Sequence, residues 1–341
     1  MAEAGPDQGF LLFMAESLLA QSSDLSKETD GVLQGQDIEF IHRMRVASRR
    51  LRTRLELFGA FLPNRKAEQW RRQIKRITRS LGNARDLDVQ IKFLQDFLDQ
   101  SSDKKDRPGL KRILLRFRQR RDRLQKKVVK VIEQFQAGNQ MEEMEGIFRQ
   151  IRTHARLRPV EFPSPFFFAA AQKAVSSRLE EMLSWEDYVK QPDKLKELHS
   201  MRIAAKHLRY AMETFDPAYP AGLKDYIKAA RKVQDLLGDV HDCDVWIECL
   251  PRFIDKERDR SIKFYGHSRG ISRIRHGILA LEKDRKTCRE ERYAEFVNFW
   301  AEIQENGLWK KLLKKLDRHA ASAPKPASQP KPTALPEDQL T

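Results

Sequence analysis

His42-Arg43-Met44-Arg45-Val46-Ala47-Ser48-Arg49-Arg50-Leu51-Arg52 returns 157 positions later as His199-Ser200-Met201-Arg202-Ile203-Ala204-Ala205-Lys206-His207-Leu208-Arg209. His, Met, Arg, a basic residue, Leu and Arg keep identical spacing, so the chain reads as a duplication. At roughly 100° per residue, Ile41, Met44, Ser48, Leu51, Leu55 and Phe58 fall on one stripe, and so do Leu198, Met201, Ala205, Leu208, Met212 and Phe215. Each copy therefore predicts an amphipathic helix with that stripe turned toward a core.

A second stripe lies roughly 100° further round the same helices. It carries His42, Arg45, Arg49 and Arg52 in the first copy and His199, Arg202, Lys206 and Arg209 in the second. Arg43, Arg50 and Arg54 fall on the far side and read as solvent charges. A single cationic face is ordinarily just solvated. Like charges at i,i+3 and i,i+4 repel, however, and their recurrence in both copies predicts an anionic partner that relieves the repulsion.

A second pair of segments strengthens the duplication. Leu81-Gly82-Asn83-Ala84-Arg85-Asp86-Leu87-Asp88-Val89 parallels Leu237-Gly238-Asp239-Val240-His241-Asp242-Cys243-Asp244-Val245, 156 positions on. Gly82 and Gly238 suit helix C-terminal turns with positive φ. That places Asp86, Asp88, Asp242 and Asp244 near the start of a following helix, where carboxylates cap free N–H groups. A role in orienting Arg85, His241 or the stripe histidines stays open beside it. On the preceding helix Ile74, Ile77 and Leu81 match Ala230, Val233 and Leu237 as core positions, while Arg72 and Lys75 match Lys228 and Arg231 as a second cationic wall. Arg79 aligns with Asp235, so that position need not bind anything. Arg116, Arg120, Arg123 and Lys127 line another helix without a counterpart, and either a solvated or a binding face fits them.

The composition limits the classes of function. The 341 residues are 40% hydrophobic and 33% charged, with a net charge of +16. Such a balance belongs to a folded, helix-rich chain, and the charge speaks of a polyanion or an anionic surface as partner. Beyond His319, Lys325 and Lys331 cancel Glu337 and Asp338, so the excess sits in the body. Three cysteines, Cys243, Cys249 and Cys288, form no disulfide framework or metal motif, which points to a reducing compartment. His241-Asp242-Cys243-Asp244 is no metal site on this reading, because the first copy has Arg85 and Leu87 in place of its His and Cys. Phe10 to Ala20 is apolar but short and interrupted by Glu16. It reads as the first core helix, no stretch is long enough to span a bilayer, and the expected location is cytoplasmic.

Helical periodicity runs through most of the chain and predicts an all-α protein of two repeated bundles. Helices are expected near residues 8–22, 37–61, 64–80, 84–99 and 108–136, then 165–184, 193–215, 219–236, 240–259, 263–283 and 286–305, with a short piece at 308–316. The first repeat spans residues 8–137 and the second 164–316, joined by a Glu-rich connector at 138–163. Residues 319–341, rich in Ala, Pro and Lys, read as a disordered tail.

On the motif at His42, its partner at His199 and the two LGxxxDxDV segments at Leu81 and Leu237, the chain resembles the CHAD family, the conserved-histidine α-helical domain. The resemblance covers residues 8–316. It implies paired four-helix-type bundles with pseudo-twofold symmetry around a central basic groove or channel, which binds inorganic polyphosphate without catalysis or cofactor and directs the protein to polyphosphate granules. The implied ligands are His42, Arg45, Arg49, Arg52, His199, Arg202, Lys206 and Arg209, followed by Lys75 and Arg231. His207 replaces Arg50 on the outer face and is not carried over. Some relatives carry a catalytic triphosphate-tunnel domain marked by an ExExK strand, a motif missing here. The competing class is a nucleic-acid or general polyanion binder. Against it, aromatics do not interleave with the stripe, and helix-turn-helix and zinc-finger signatures are missing. A phosphoryl-transfer enzyme would need a phosphate cradle or metal-binding acids, and no P-loop occurs.

Overall fold

Capping residues open several helices where the sequence offers them. Asp7 accepts from the Phe10 N–H at 2.8 Å, Asp37 from Glu39 at 2.8 Å, and Ser164 from Phe167 at 3.2 Å, with Pro165 following at the first helical position. The computed structural model describes residues 5–35, 37–219 and 222–322, and no strand occurs among them. Helices α1 (Gln8–Lys27), α2 (Thr29–Gln34), α3 (Ile38–Leu57), α4 (Asn64–Gln100), α5 (Arg107–Ala137) and α6 (Gln140–Arg156) occupy the first half. The second half holds α7 (Pro165–Leu183), α8 (Leu195–Phe215), α9 (Lys224–Tyr265), α10 (Ile271–Glu305) and α11 (Leu308–Ser322).

The fold is all-α, as expected, but three pairs of expected helices are single long ones. α4 passes straight through Gly82, and α9 through Gly238, so neither glycine forms a positive-φ turn. A mid-helix glycine costs about 1 kcal/mol of propensity. Ile74, Ile77, Leu81, Ala84 and Leu87 are buried in unbroken helical spacing across it, and so are Val233, Leu237, Val240 and Cys243. Continuous burial outweighs one weak residue. The break expected in 263–305 is likewise overridden inside α10.

The connector is corrected too. Most of it is α6, which lies against α1 and buries Met144, Ile147 and Phe148. Its Glu-rich run is the outer face of an amphipathic helix, and Glu143 accepts from the Trp70 indole at 3.2 Å. The expected tail begins later as well. α11 continues through residues 319–322 and buries Trp309, Leu312 and Leu316, while 323–341 lie outside the described residues.

Two apolar cores divide the molecule. The larger joins both halves: Phe10, Phe58, Phe167 and Phe215 meet edge to face within it, so the halves share this core. The smaller gathers Leu87, Leu94, Ile113, Trp246, Leu250 and Ile278 from α4, α5, α9 and α10, with Phe117 stacked on Trp246 at 5.5 Å. Along α4 the larger core ends at Ala84 and the smaller begins at Leu87; along α9 they end at Leu237 and begin at Trp246.

Candidate functional site: a cationic seam between α3 and α8

All twelve residues of the two predicted apolar stripes are buried, which fixes how α3 and α8 are turned. The helices run side by side in the same direction. Arg49 stands over the Tyr210 ring, 5.0 Å from its centroid, and Phe58 meets Phe215 at 6.3 Å, each contact joining ascending positions on the two helices. The basic stripes therefore converge along one seam, with α4 and α9 as its walls.

Each wall contributes its glycine. A Cβ on Gly82 would stand 3.6 Å from Arg45 Nε, and one on Gly238 would stand 3.3 Å from Arg202 Nε. Both guanidinium groups lie across helix backbone at a glycine, and at Gly238 the approach is closer than a Cβ would ordinarily allow. Arg45 reaches Asp86 at 3.6 Å. Asp86 keeps 65% of its side-chain exposure. Even so, reduced hydration raises its carboxyl above the ordinary range, against the pull of Arg45, Arg202 and Arg85. Asp242 is raised by burial as well, with Arg202 pulling it down and Asp86 adding repulsion. Both arginines thus act on both aspartates, one on each wall.

The cations crowd one another. Burial pushes the Lys206 ammonium down to about 8, aided by Arg49, Arg202, Arg52 and Arg45. Burial also lowers His42, where Arg85 adds to it, and His199, where Arg202 does. His241 faces His199 with ring centroids 4.1 Å apart and falls to about 4 through burial and that neighbour. Buried nitrogens of His42 (Nδ1), Arg49 (Nε), His199 (Nδ1) and Arg202 (Nε) have no hydrogen-bond partner among the described residues. Such groups cost free energy until an acceptor meets them.

The remaining site residues divide differently from the sequence expectation. Arg209 is only 8% exposed and committed internally, to Gln234 at 3.1 Å and Glu213 at 2.6 Å. Arg72, Lys75, Lys228 and Arg231 are exposed, in contrast to the half-buried stripe. Arg72 pairs with Glu68 at 3.7 Å and Arg231 with Glu213 at 3.3 Å. None of the four motif aspartates caps a helix, because all lie inside α4 or α9. Asp88 instead binds Arg121 of α5 at 2.6 Å, and Asp244 binds Arg289 of α10 at 2.5 Å. His207 does not face solvent: burial, Lys206 and Arg178 push it down to about 4. Arg54, read as a solvent charge, has its Nε and Nη1 buried.

Sequence reasoning missed Tyr210, Arg121 and Arg289, and named Arg85 and His241 only as groups the motif aspartates could orient. For the arginines of α5 and α10 nothing short of the packing identifies the partner. Elsewhere Asp103, Asp106 and His276 bring ligand-type atoms within 4.8 Å of one another at the start of α5, where His276 already pairs with Asp106 at 2.7 Å.

The CHAD domain family matches residues 16–251, and the chain belongs to it. The crystal structure of the CHAD domain from the plant Ricinus communis is similar at TM-score 0.57 and 21% identity, over 85% of this chain and 94% of that one. PptA from Streptomyces chartreusis is similar at TM-score 0.58 and 12% identity, over 87% of this chain and 100% of that one. At these identities the two structures speak to the fold. The search of curated proteins returned no match. Among the described residues no helix is long and apolar enough to cross a membrane.

Proposed function

We propose that the protein binds inorganic polyphosphate in the α3–α8 seam, without catalysis, and is thereby held at polyphosphate granules. The observation that carries this reading is the set of buried, unpartnered nitrogens on Arg49, Arg202, His42 and His199 in a seam where burial, with four arginines adding to it, already depresses Lys206. A polyphosphate chain supplies closely spaced anionic oxygens and no bases. Arginine forks bind such oxygens bidentately, lysine adds a point charge, and histidine adds a donor that gains charge on acidification. Half-burial of the stripe favours a thin, flexible chain over a duplex, whose phosphates lie on a broad cylinder. Membership of the CHAD family supports the same ligand.

The test is a titration of the protein at fixed moderate salt with long-chain polyphosphate and with duplex DNA at equal phosphate concentration. Tight, saturable preference for polyphosphate is expected; equal or stronger DNA binding would replace this reading with general polyanion or nucleic-acid binding. Incubation with polyphosphate should release no orthophosphate, and release would overturn the non-catalytic part.

A further inference from the structure

Beside the seam lies a cavity of about 240 Å³ lined by Arg50, Thr53 and Arg54 of α3 and by Tyr210, Glu213 and Thr214 of α8. Its donors are unsatisfied. Tyr210 is 3% exposed and its hydroxyl has no hydrogen-bond partner among the described residues; neither do the buried Nε and Nη1 of Arg54. The acid in the lining is already occupied: Glu213 accepts from Arg209 at 2.6 Å and from Arg231 at 3.3 Å. Asp24 of α1, which also acts on Arg54, receives Gln21 Nε2 at 2.9 Å and Lys27 at 3.6 Å. Thr53 and Thr214 donate to backbone carbonyls of their own helices. What remains is two arginines and a phenol lining a small, half-open pocket, with donors buried in its wall.

The cavity does not belong to the duplicated site. At the 157-residue offset Arg50 and Arg54 correspond to His207 and Ala211, so the second half has no such arginine pair. It adjoins the seam through Tyr210, whose ring carries the Arg49 guanidinium at 5.0 Å and the Arg209 guanidinium at 4.4 Å. One ring thus separates the seam from the cavity.

We propose that this cavity is a pocket for a terminal phosphate group, the dianionic end of a linear phosphate chain, while internal monoanionic phosphates lie along the seam. Arg54 and the Tyr210 hydroxyl would donate to the terminal oxygens, and Arg50 would supply the second positive charge that a chain end needs and an internal unit does not. The inference rests on the polyphosphate reading and adds a preference for chain ends. The same chemistry would accept free orthophosphate, so the test separates the two sources.

Affinities are measured for linear tripolyphosphate, cyclic trimetaphosphate, which has no terminal group, orthophosphate and long-chain polyphosphate. They are compared in the unaltered protein and in Arg54→Met, Tyr210→Phe and, as a control for loss of one charge from α3, Arg43→Met. The unaltered protein should prefer linear over cyclic triphosphate at least tenfold. Arg54→Met and Tyr210→Phe should each shrink that ratio several-fold, and Arg43→Met should leave it unchanged. Tyr210→Phe keeps the ring under Arg49, so it reads the hydroxyl alone even if Arg54→Met perturbs folding. A ratio near one, or a preference that survives both variants, overturns the pocket while long-chain binding stands. Orthophosphate binding as tight as tripolyphosphate would overturn the chain-end assignment in favour of a free-anion site. Absence of long-chain binding in every protein would instead overturn the polyphosphate reading.

Discussion

The guanidinium of Arg202 lies over Gly238 so closely that a Cβ there would come within 3.3 Å of its Nε, whereas the equivalent distance from Gly82 to Arg45 is 3.6 Å. The first is tighter than an ordinary contact and the second is not, so the two glycines separate packing from propensity. Gly238→Ala should raise helix stability by up to about 1 kcal/mol while displacing Arg202 and weakening polyphosphate binding. Gly82→Ala should give a similar gain with affinity unchanged. Denaturant titration alongside binding isotherms checks both signs.

Arg45 and Arg202 lie off the apolar stripe, so their removal should spare the fold. Arg45→Ala combined with Arg202→Ala should cost on the order of tenfold or more in affinity for each arginine, since hydrogen bonds to charged groups contribute about 1.5–3 kcal/mol. The dependence of affinity on salt should also become shallower as fewer counterions are released. Unchanged affinity beside an intact thermal transition would remove these residues from the site.

Lys206 gives binding and stability opposite responses to pH. Burial and the surrounding arginines lower its ammonium from the ordinary 10.5 to about 8, so binding, which needs the charge, should weaken by up to about tenfold per pH unit above 8. Between 8 and 10.5 the unfolded chain holds this proton and the folded one does not. The lysine's contribution therefore destabilises fully below 8 and fades as pH rises through that window. Relative to Lys206→Met, the unaltered protein should gain thermal stability from pH 8 to 10 in the absence of ligand. Lys206→Arg should flatten the pH profile of binding.

Asp88 and Arg121 form a buried pair, with 4% and 12% of their side chains exposed. Asp88→Asn leaves the arginine buried without its counter-charge and should cost about 3–5 kcal/mol in urea unfolding. Polyphosphate affinity of the folded protein should change little, because the direct partner of Asp88 is Arg121 of α5, outside the α3 and α8 stripes. A large loss of affinity at unchanged stability would give Asp88 a role in binding instead.

The order of residues alone determined the all-α class, the two apolar stripes and the placing of His42, Arg45 and Arg49 on one face of their helix and of His199, Arg202 and Lys206 on one face of theirs, because period and angle are local properties of a helix. It also paired Gly82 with Gly238 and Asp88 with Asp244 without saying what they do. Local rules made the glycines turns and the aspartates caps. Tertiary structure decided otherwise: burial on both sides of Gly82 and Gly238 carries α4 and α9 through them, Arg45 and Arg202 lie against them, and at Gly238 the missing side chain gives Arg202 its close seat. The same holds for α6, whose polar face reads as a linker until α1 covers its other side, and for Arg54, which local angles send to solvent until α8 closes over it. What a side chain does on its own helix follows from spacing. What it meets depends on which neighbour the buried faces bring against it, and only the folded chain contains that information.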